Sequence, residues 1–261
     1  MNFDELWINI GNYRTRFVAK GKGEPLVLIH GLGSSLETWK DNIDYLSKYF
    51  RVYAFDMIGF GLADKPNVEY RLDLFSNFLR DFLNALKLES VNLVGNSLGG
   101  LIALWFSIKN DKKVKKLILE SASGLESGAK EKIKKFMGNW WTLDNLIKFY
   151  SFIYYRPKIN YDVLKSRFSA MNSEEAKHAY ISTLNMKKDW KNLPNILKKF
   201  KKKTLIIWGE NDNLIPVKYA YEFHRLIKNS KLVILPKTGH VPHSENPDKF
   251  NKTVVNFLIK C

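Results

Sequence analysis

The stretch Val91-Asn92-Leu93-Val94-Gly95-Asn96-Ser97-Leu98-Gly99-Gly100-Leu101-Ile102-Ala103-Leu104-Trp105-Phe106 decides how this chain is read. It joins an apolar run of strand length to an apolar run of helix length through Gly-x-Ser-x-Gly. A turn that tight forces its central residue into strained backbone angles and lifts the side chain above the sheet. Gly95 and Gly99 remove side chains that would strike the neighbouring strand and helix. The helix that follows points its free N–H groups at the same spot, where a developing oxyanion would gain from them. Ser97 is therefore the candidate nucleophile.

Outward from this elbow, apolar runs alternate with segments of helical spacing. The runs are Pro25 to His30, Arg51 to Asp56, Ser90 to Gly95, Val114 to Glu120, Thr204 to Gly209 and Lys231 to Pro236. Continuous apolar runs predict strands buried on both faces, and their alternation with helices predicts an α/β fold with a mostly parallel sheet. A hairpin is expected ahead of them, from Leu6 to Ile10 and Tyr13 to Ala19 around the turn Gly11-Asn12. Between Ser121 and about Phe200 no strand-like run occurs, only helix-compatible sequence rich in aromatics, among them Trp140, Trp141, Tyr150 and Tyr154. The expected organisation is a core of residues 1–121 and 201–261 with a helical cap inserted at 122–200.

A serine nucleophile needs a base, and the base needs a group that fixes its tautomer. Asp212 lies just beyond the strand Thr204 to Trp208, and His240 just beyond Leu232 to Leu235. The order Ser, Asp, His, with acid and base after late strands, suits a site at the C-terminal strand ends of an open sheet. Glu120, which ends a strand on the same edge, is weighed against Asp212, and His243 against His240. His240 is preferred because Gly239 precedes it close to the strand end. His178 and His224 fall in helix-like segments and read as surface or half-buried residues. The loop His30-Gly31-Leu32-Gly33 follows another strand, so the backbone N–H groups of Leu32 and Leu98 are the expected oxyanion hole, with His30 bonding the loop.

The chain has 261 residues, 45% of them apolar, enough for a full core. Its apolar runs are far shorter than the roughly 20 residues of a membrane-spanning helix, and Met1 to Ile10 contains acids where a leader would be basic. A cytoplasmic protein without a transmembrane segment is expected. The one cysteine, Cys261, offers no disulfide framework and no cysteine-based metal site. The net charge is +16, from 34 Lys and 8 Arg against 26 acids; residues 121–203 hold 18 Lys and Arg against 7 Asp and Glu, or +11 of it. No basic-aromatic nucleic-acid motif accompanies that charge, so no nucleic-acid partner is expected, and a weak attraction to anionic surfaces is what remains. Oligomeric state leaves no signal in the sequence.

With Asp56-Met57-Ile58-Gly59-Phe60-Gly61 and Trp208-Gly209-Glu210-Asn211-Asp212 added to these blocks, the chain resembles the α/β-hydrolase superfamily over nearly its whole length. It is more closely similar to the cap-bearing branch of carboxylesterases and carbon–carbon bond hydrolases. The resemblance implies a serine hydrolase that needs no cofactor and no metal, with Asp56 and Gly59-Phe60-Gly61 structural. Serine at the elbow sets the chain apart from relatives that open epoxides or displace halide with an aspartate. The leading expectation is a carboxylesterase cleaving short- to medium-chain carboxylic esters through an acyl-enzyme on Ser97, its partner a small-molecule ester. The alternative is a carbon–carbon bond hydrolase acting on meta-cleavage dienoate products, or a lipase-like enzyme acting at lipid surfaces. Carbon–carbon bond hydrolases commonly hold the substrate carboxylate with a cap arginine and carry a tryptophan right after the catalytic histidine. Arg167 is the residue that would supply the first; Val241 stands in place of the second, which puts the esterase ahead. Trp140 and Trp141 are expected to line an apolar substrate pocket above Ser97.

Overall fold

The structure is a computed structural model that describes residues 4–157, 161–187 and 190–260; Cys261 lies outside them. Eight strands form one sheet: β1 (Leu6–Ile10), β2 (Tyr13–Lys20), β3 (Pro25–Ile29), β4 (Arg51–Phe55), β5 (Val91–Asn96), β6 (Val114–Glu120), β7 (Thr204–Gly209) and β8 (Ser230–Leu235). Their order is β1-β2-β4-β3-β5-β6-β7-β8. The β1–β2 and β2–β4 pairs are antiparallel and all the others parallel, so the expected hairpin caps one edge of a doubly wound sheet.

The helices are α1 (Lys40–Leu46), α2 (Leu72–Ala85), α3 (Leu98–Lys109), α4 (Ala129–Met137), α5 (Leu143–Ile153), α6 (Tyr161–Ala170), α7 (Glu174–Leu184), α8 (Leu193–Lys199), α9 (Lys218–Leu226), α10 (Pro242–Glu245) and α11 (Pro247–Lys260). Alternate strand residues sort onto two faces, as the pleat demands. Val27, Ile29, Leu93, Leu117 and Ile206 pack with α2, α3 and α9. Leu26, Leu28, Val94, Ile118 and Leu205 pack with α1 and α11. The ten residues Leu98 to Ser107 of α3 are all buried, which is why that segment reads apolar all round instead of amphipathic.

Helices α4 to α8 all fall between β6 and β7. Two start on legible caps: the Thr142 hydroxyl accepts from Asn145 N at the head of α5, and the Ser173 hydroxyl from Ala176 N at the head of α7. Their apolar faces join the core on the α3 side of the sheet, through Ile133, Met137, Leu146, Phe149 and Leu184. Ile133 of α4, Phe149 of α5, Arg167 of α6 and Tyr180 of α7 line one cavity with Ser97 and His240. Among the described residues no helix is long and apolar enough to cross a membrane.

Candidate active site

Ser97 sits at the junction of β5 and α3 with φ +53°, in the left-handed region, and only a tightly held turn keeps a serine there. Ser97 N donates to Glu120 O at 2.9 Å, and Ser97 O accepts from Ser123 N at 3.0 Å. A Cβ on Gly95 would overlap the Gly99 carbonyl, and one on Gly99 would overlap the carbonyls of Ile29 and His30. Both glycines are therefore dictated by close backbone approach.

The Asp212 carboxylate is buried, with Oδ1 accepting from Leu214 N (2.9 Å) and Ile215 N (2.8 Å) and Oδ2 lying 2.8 Å from His240 Nδ1. That bond engages Nδ1 and leaves Nε2 as the His240 nitrogen free to serve as base. Ser97 and His240 line one cavity together with Leu32, Ser34, Asn96, Trp141, Tyr150, Tyr154, Arg167 and Val241, among others. The cavity holds about 700 Å³ of empty space, its open mouth included. Glu120 makes a different pair. Its Oε1 accepts from His243 N at 2.7 Å and its Oε2 lies 2.8 Å from His243 Nδ1, while His243 Nε2 meets Thr38 Oγ1 at 2.9 Å. Neither Glu120 nor His243 lines the cavity.

As the first residue of α3, Leu98 has an N–H with no acceptor inside its helix. Leu32 lines the cavity beside Ser97. Leu98 follows Ser97 in sequence, so both candidate donors stand beside the serine. His30 bonds with both ring nitrogens, Nδ1 to Gly31 O at 2.8 Å and Nε2 to Met57 N at 3.0 Å, so it braces the loop that carries Leu32. Asp56 is likewise occupied within the fold, by Leu36 N, Leu62 N and the Arg16 guanidinium.

Arg167 reaches the cavity from α6. Its Nη1 donates to the Tyr150 hydroxyl and its Nη2 to Ser34 Oγ at 3.3 Å. Tyr150 on α5 and Tyr154, the residue that closes that helix, stack 5.7 Å apart at 14°. Burial alone would lower the guanidinium, but Tyr150, Tyr154 and the more distant Glu37 carboxylate together offset it, and the net shift is upward. No carboxylate among the described residues forms an ion pair with Arg167. The Tyr150 and Tyr154 roles escaped the sequence reading, although their i, i+4 spacing was a signal that both face one way.

Trp141 is buried and lines the cavity. Trp140 does not line it. Its Nε1 donates to Asn172 Oδ1 at 2.9 Å and its ring meets the edge of Tyr180, so the polar edge of the indole is held at the turn between α6 and α7. A second cavity, of about 870 Å³ with its mouth, reaches Ser97 from the other side. It shares Leu32, Ser97, Ile133 and Leu214 with the first and adds Leu98, Leu101, Leu184, Met186 and Trp190. The lining of the second also carries Glu126, Lys130, Glu131 and Thr183, so Ser97 borders two cavities of mixed character, the first of which holds the Arg167 guanidinium. Among the described residues no group of three or more His, Cys, Asp or Glu could hold a metal ion.

A family model described as alpha/beta hydrolase fold matches residues 24–247. The chain belongs to the α/β-hydrolase fold family. It is 32% identical over 262 residues to a 2-hydroxy-6-oxo-6-(2'-aminophenyl)hexa-2,4-dienoic acid hydrolase of Metapseudomonas resinovorans, covering 97% of this chain and 90% of that protein. It is 28% identical over 258 residues to a 2-hydroxy-6-oxo-2,4-heptadienoate hydrolase of Pseudomonas putida, covering 95% and 94%. Among solved structures it is similar to a serine hydrolase involved in carbazole degradation, with TM-score 0.86, 30% identity and full coverage of both chains. It is also similar to a meta-cleavage product hydrolase from Pseudomonas fluorescens, with TM-score 0.88, 26% identity and coverage of 98% and 97%. The protein is a hydrolase of the α/β-hydrolase fold.

Proposed function

We propose that this hydrolase cleaves a carbon–carbon bond in a dienoate ketone of the meta-cleavage kind. Ser97 is the nucleophile, His240 the base, Asp212 its orienting carboxylate, and residues 122–200 act as a cap over a core of 1–121 and 201–261. The observation that carries this reading is Arg167: a guanidinium held in the Ser97 cavity by Tyr150 and Ser34, with no carboxylate partner among the described residues. A dienoate ketone brings a carboxylate at one end and a reactive carbonyl at the other. Burying that carboxylate costs several kcal/mol unless a fixed cation receives it. A neutral ester would leave the guanidinium unanswered. The names of the relatives in Metapseudomonas resinovorans and Pseudomonas putida point to the same substrate class. The carboxylesterase expectation loses its lead on these two grounds, and Val241 means that a tryptophan beside the base is no part of the support.

In this reading His240 takes the Ser97 proton as the serine oxygen attacks the ketone carbon, and the oxyanion rests on the N–H groups of Leu32 and Leu98. The carbon–carbon bond on the dienoate side then breaks. This requires the 2-hydroxydienoate to stand in its keto form, its hydroxyl proton moved to the carbon that leaves; the electron pair then spreads through the enone toward the carboxylate end that Arg167 holds, and the proton on His240 passes to the resulting dienolate. Water releases the remaining acyl group as a carboxylic acid, so one water is consumed and two acids leave. The ketone substituent lies toward the second cavity that borders Ser97, against Leu98, Leu101, Leu184 and Trp190.

Steady-state kinetics on a dienoate ketone and on 4-nitrophenyl butyrate test this. Wild type turns over the dienoate with the higher kcat/KM. Arg167→Leu lowers that value roughly 100-fold, the scale of about 3 kcal/mol for one buried charge left unpaired, and leaves the ester within about tenfold. Esters faster than every dienoate, with Arg167→Leu indifferent, would restore the esterase reading.

A further inference from the structure

The last turn of α5 touches both loops that follow the late strands. A helix ends on carbonyls without intrahelical donors, and here two of them are met from outside the helix. Phe152 O accepts from Asn213 Nδ2 at 3.0 Å, next to Asp212, and Ile153 O accepts from His240 N at 2.7 Å. A third tie runs through Glu245, on the short helix α10. Its carboxylate accepts Gly239 N at 2.9 Å, Val241 N at 3.0 Å and Tyr155 N at 2.7 Å. It thus grips the residues on either side of His240 and, with the same two oxygens, the residue that leaves α5. The fit is close, since a Cβ on Gly239 would overlap Ile153 O and press on Tyr155 N. The last turn of α5 and its C-cap present Tyr150 and Tyr154 to the cavity, and Tyr150 holds Arg167.

We infer that Glu245 is a positioning residue that clamps the His240 loop to α5, so that one helix sets both the base and the cation for the substrate carboxylate. The inference rests on the proposed roles of His240 and Arg167. Glu245 does not line the Ser97 cavity and acts only through the backbone it holds. A carboxylate suits three N–H donors because both its oxygens accept only; an amide would set an NH2 against one of them. Loss of the clamp frees the His240 loop and the end of α5 together. Placement errors near 1 Å cost catalysis on the order of 100-fold.

The test is Glu245→Gln, assayed at a temperature where circular dichroism shows the variant fully folded. The reaction rate of Ser97 with a fluorophosphonate and kcat for 4-nitrophenyl butyrate both fall roughly tenfold or more, because both need a placed base. In addition, KM for a dienoate ketone rises while KM for the ester stays within about twofold, because Arg167 shifts with α5. A lower Tm with unchanged labelling rate and unchanged kcat would reduce Glu245 to a structural strut and overturn the inference. The labelling and ester arms judge Glu245 even if wild type cleaves no dienoate, an outcome that would sink the proposed substrate class alone. Should Glu245→Gln fail to fold, amide exchange in wild type decides. The Gly239, Val241 and Tyr155 amides then exchange in one slow class, and fast, independent exchange of Tyr155 contradicts the clamp.

Discussion

Asp212–His240 and Glu120–His243 are built alike. In each, a buried carboxylate at or just beyond the end of a parallel strand lies 2.8 Å from the Nδ1 of a histidine that follows β8, His240 in the loop and His243 on α10. They differ in what the far side of the ring meets. The His240 ring borders the cavity that Ser97 also borders. His243 stacks on Trp39 at 4.0 Å, gives its Nε2 to Thr38, and has its carbonyl held by Asn42 Nδ2. A carboxylate–histidine pair is thus not a base by virtue of pairing. What matters is whether a ring nitrogen remains open beside a nucleophile, and in the second pair every polar atom of the ring is taken by the fold.

The largest effect that would break this comparison is on turnover. Asp212→Asn lowers kcat by roughly 10⁴-fold, as when a triad aspartate is amidated, and Glu120→Gln leaves kcat within about tenfold. The reverse ranking, measured on any substrate, would make Glu120 the orienting carboxylate. Stability sharpens the contrast from the other side. Glu120→Gln disrupts a pair whose side chains are both fully buried, so unfolding in urea registers a loss of about 3 kcal/mol or more. Equal turnover and equal stability in that variant would mean that the pair matters for neither.

A smaller effect separates the two adjacent tryptophans. Trp141→Ala opens the wall of the Ser97 cavity and changes substrate preference, read as the ratio of kcat/KM between a small and a bulky ketone substituent. Trp140→Ala leaves that ratio within about twofold, because Trp140 does not line the cavity and its indole N–H is held by Asn172. If the two swap, the cavity wall is misassigned. The smallest effect concerns His30, a third histidine with both nitrogens engaged. Burial pushes its imidazole below the ordinary histidine value. The unfolded chain binds a proton near pH ~6.5 that the folded chain refuses, so stability is full above that pH and falls as the pH drops toward the depressed value. The urea midpoint therefore declines as the pH falls below about 6.5, and His30→Gln makes that decline shallower; an unchanged slope would contradict it.

The strand ends were legible in the sequence because backbone crowding dictates them. Gly95, Gly99 and Gly239 each stand where a Cβ would overlap a carbonyl, and such positions surface as motifs. Asp212 and His240 follow from strand position alone. The helices between β6 and β7 were legible only as a helical, aromatic, basic interval, because helix spacing says which residues share a face and not which face meets the cavity. Trp140 and Trp141 are neighbours with opposite fates for that reason. Arg167 was identified as a cation of the right chemistry, but a sequence does not say that Tyr150 and Ser34 would hold its guanidinium inside the cavity. The hold of Glu245 on three backbone N–H groups from two separate segments has no local signal at all.

The most direct test of the account is the binding of a dienoate ketone to Ser97→Ala, which keeps the cavity and stops turnover. A spectroscopic titration gives Kd for Ser97→Ala and for Ser97→Ala/Arg167→Leu. The account predicts that loss of the guanidinium weakens binding by roughly 100-fold, while a neutral methyl ester of the same dienoate binds both proteins equally. Equal Kd values for the free acid in the two proteins would contradict it.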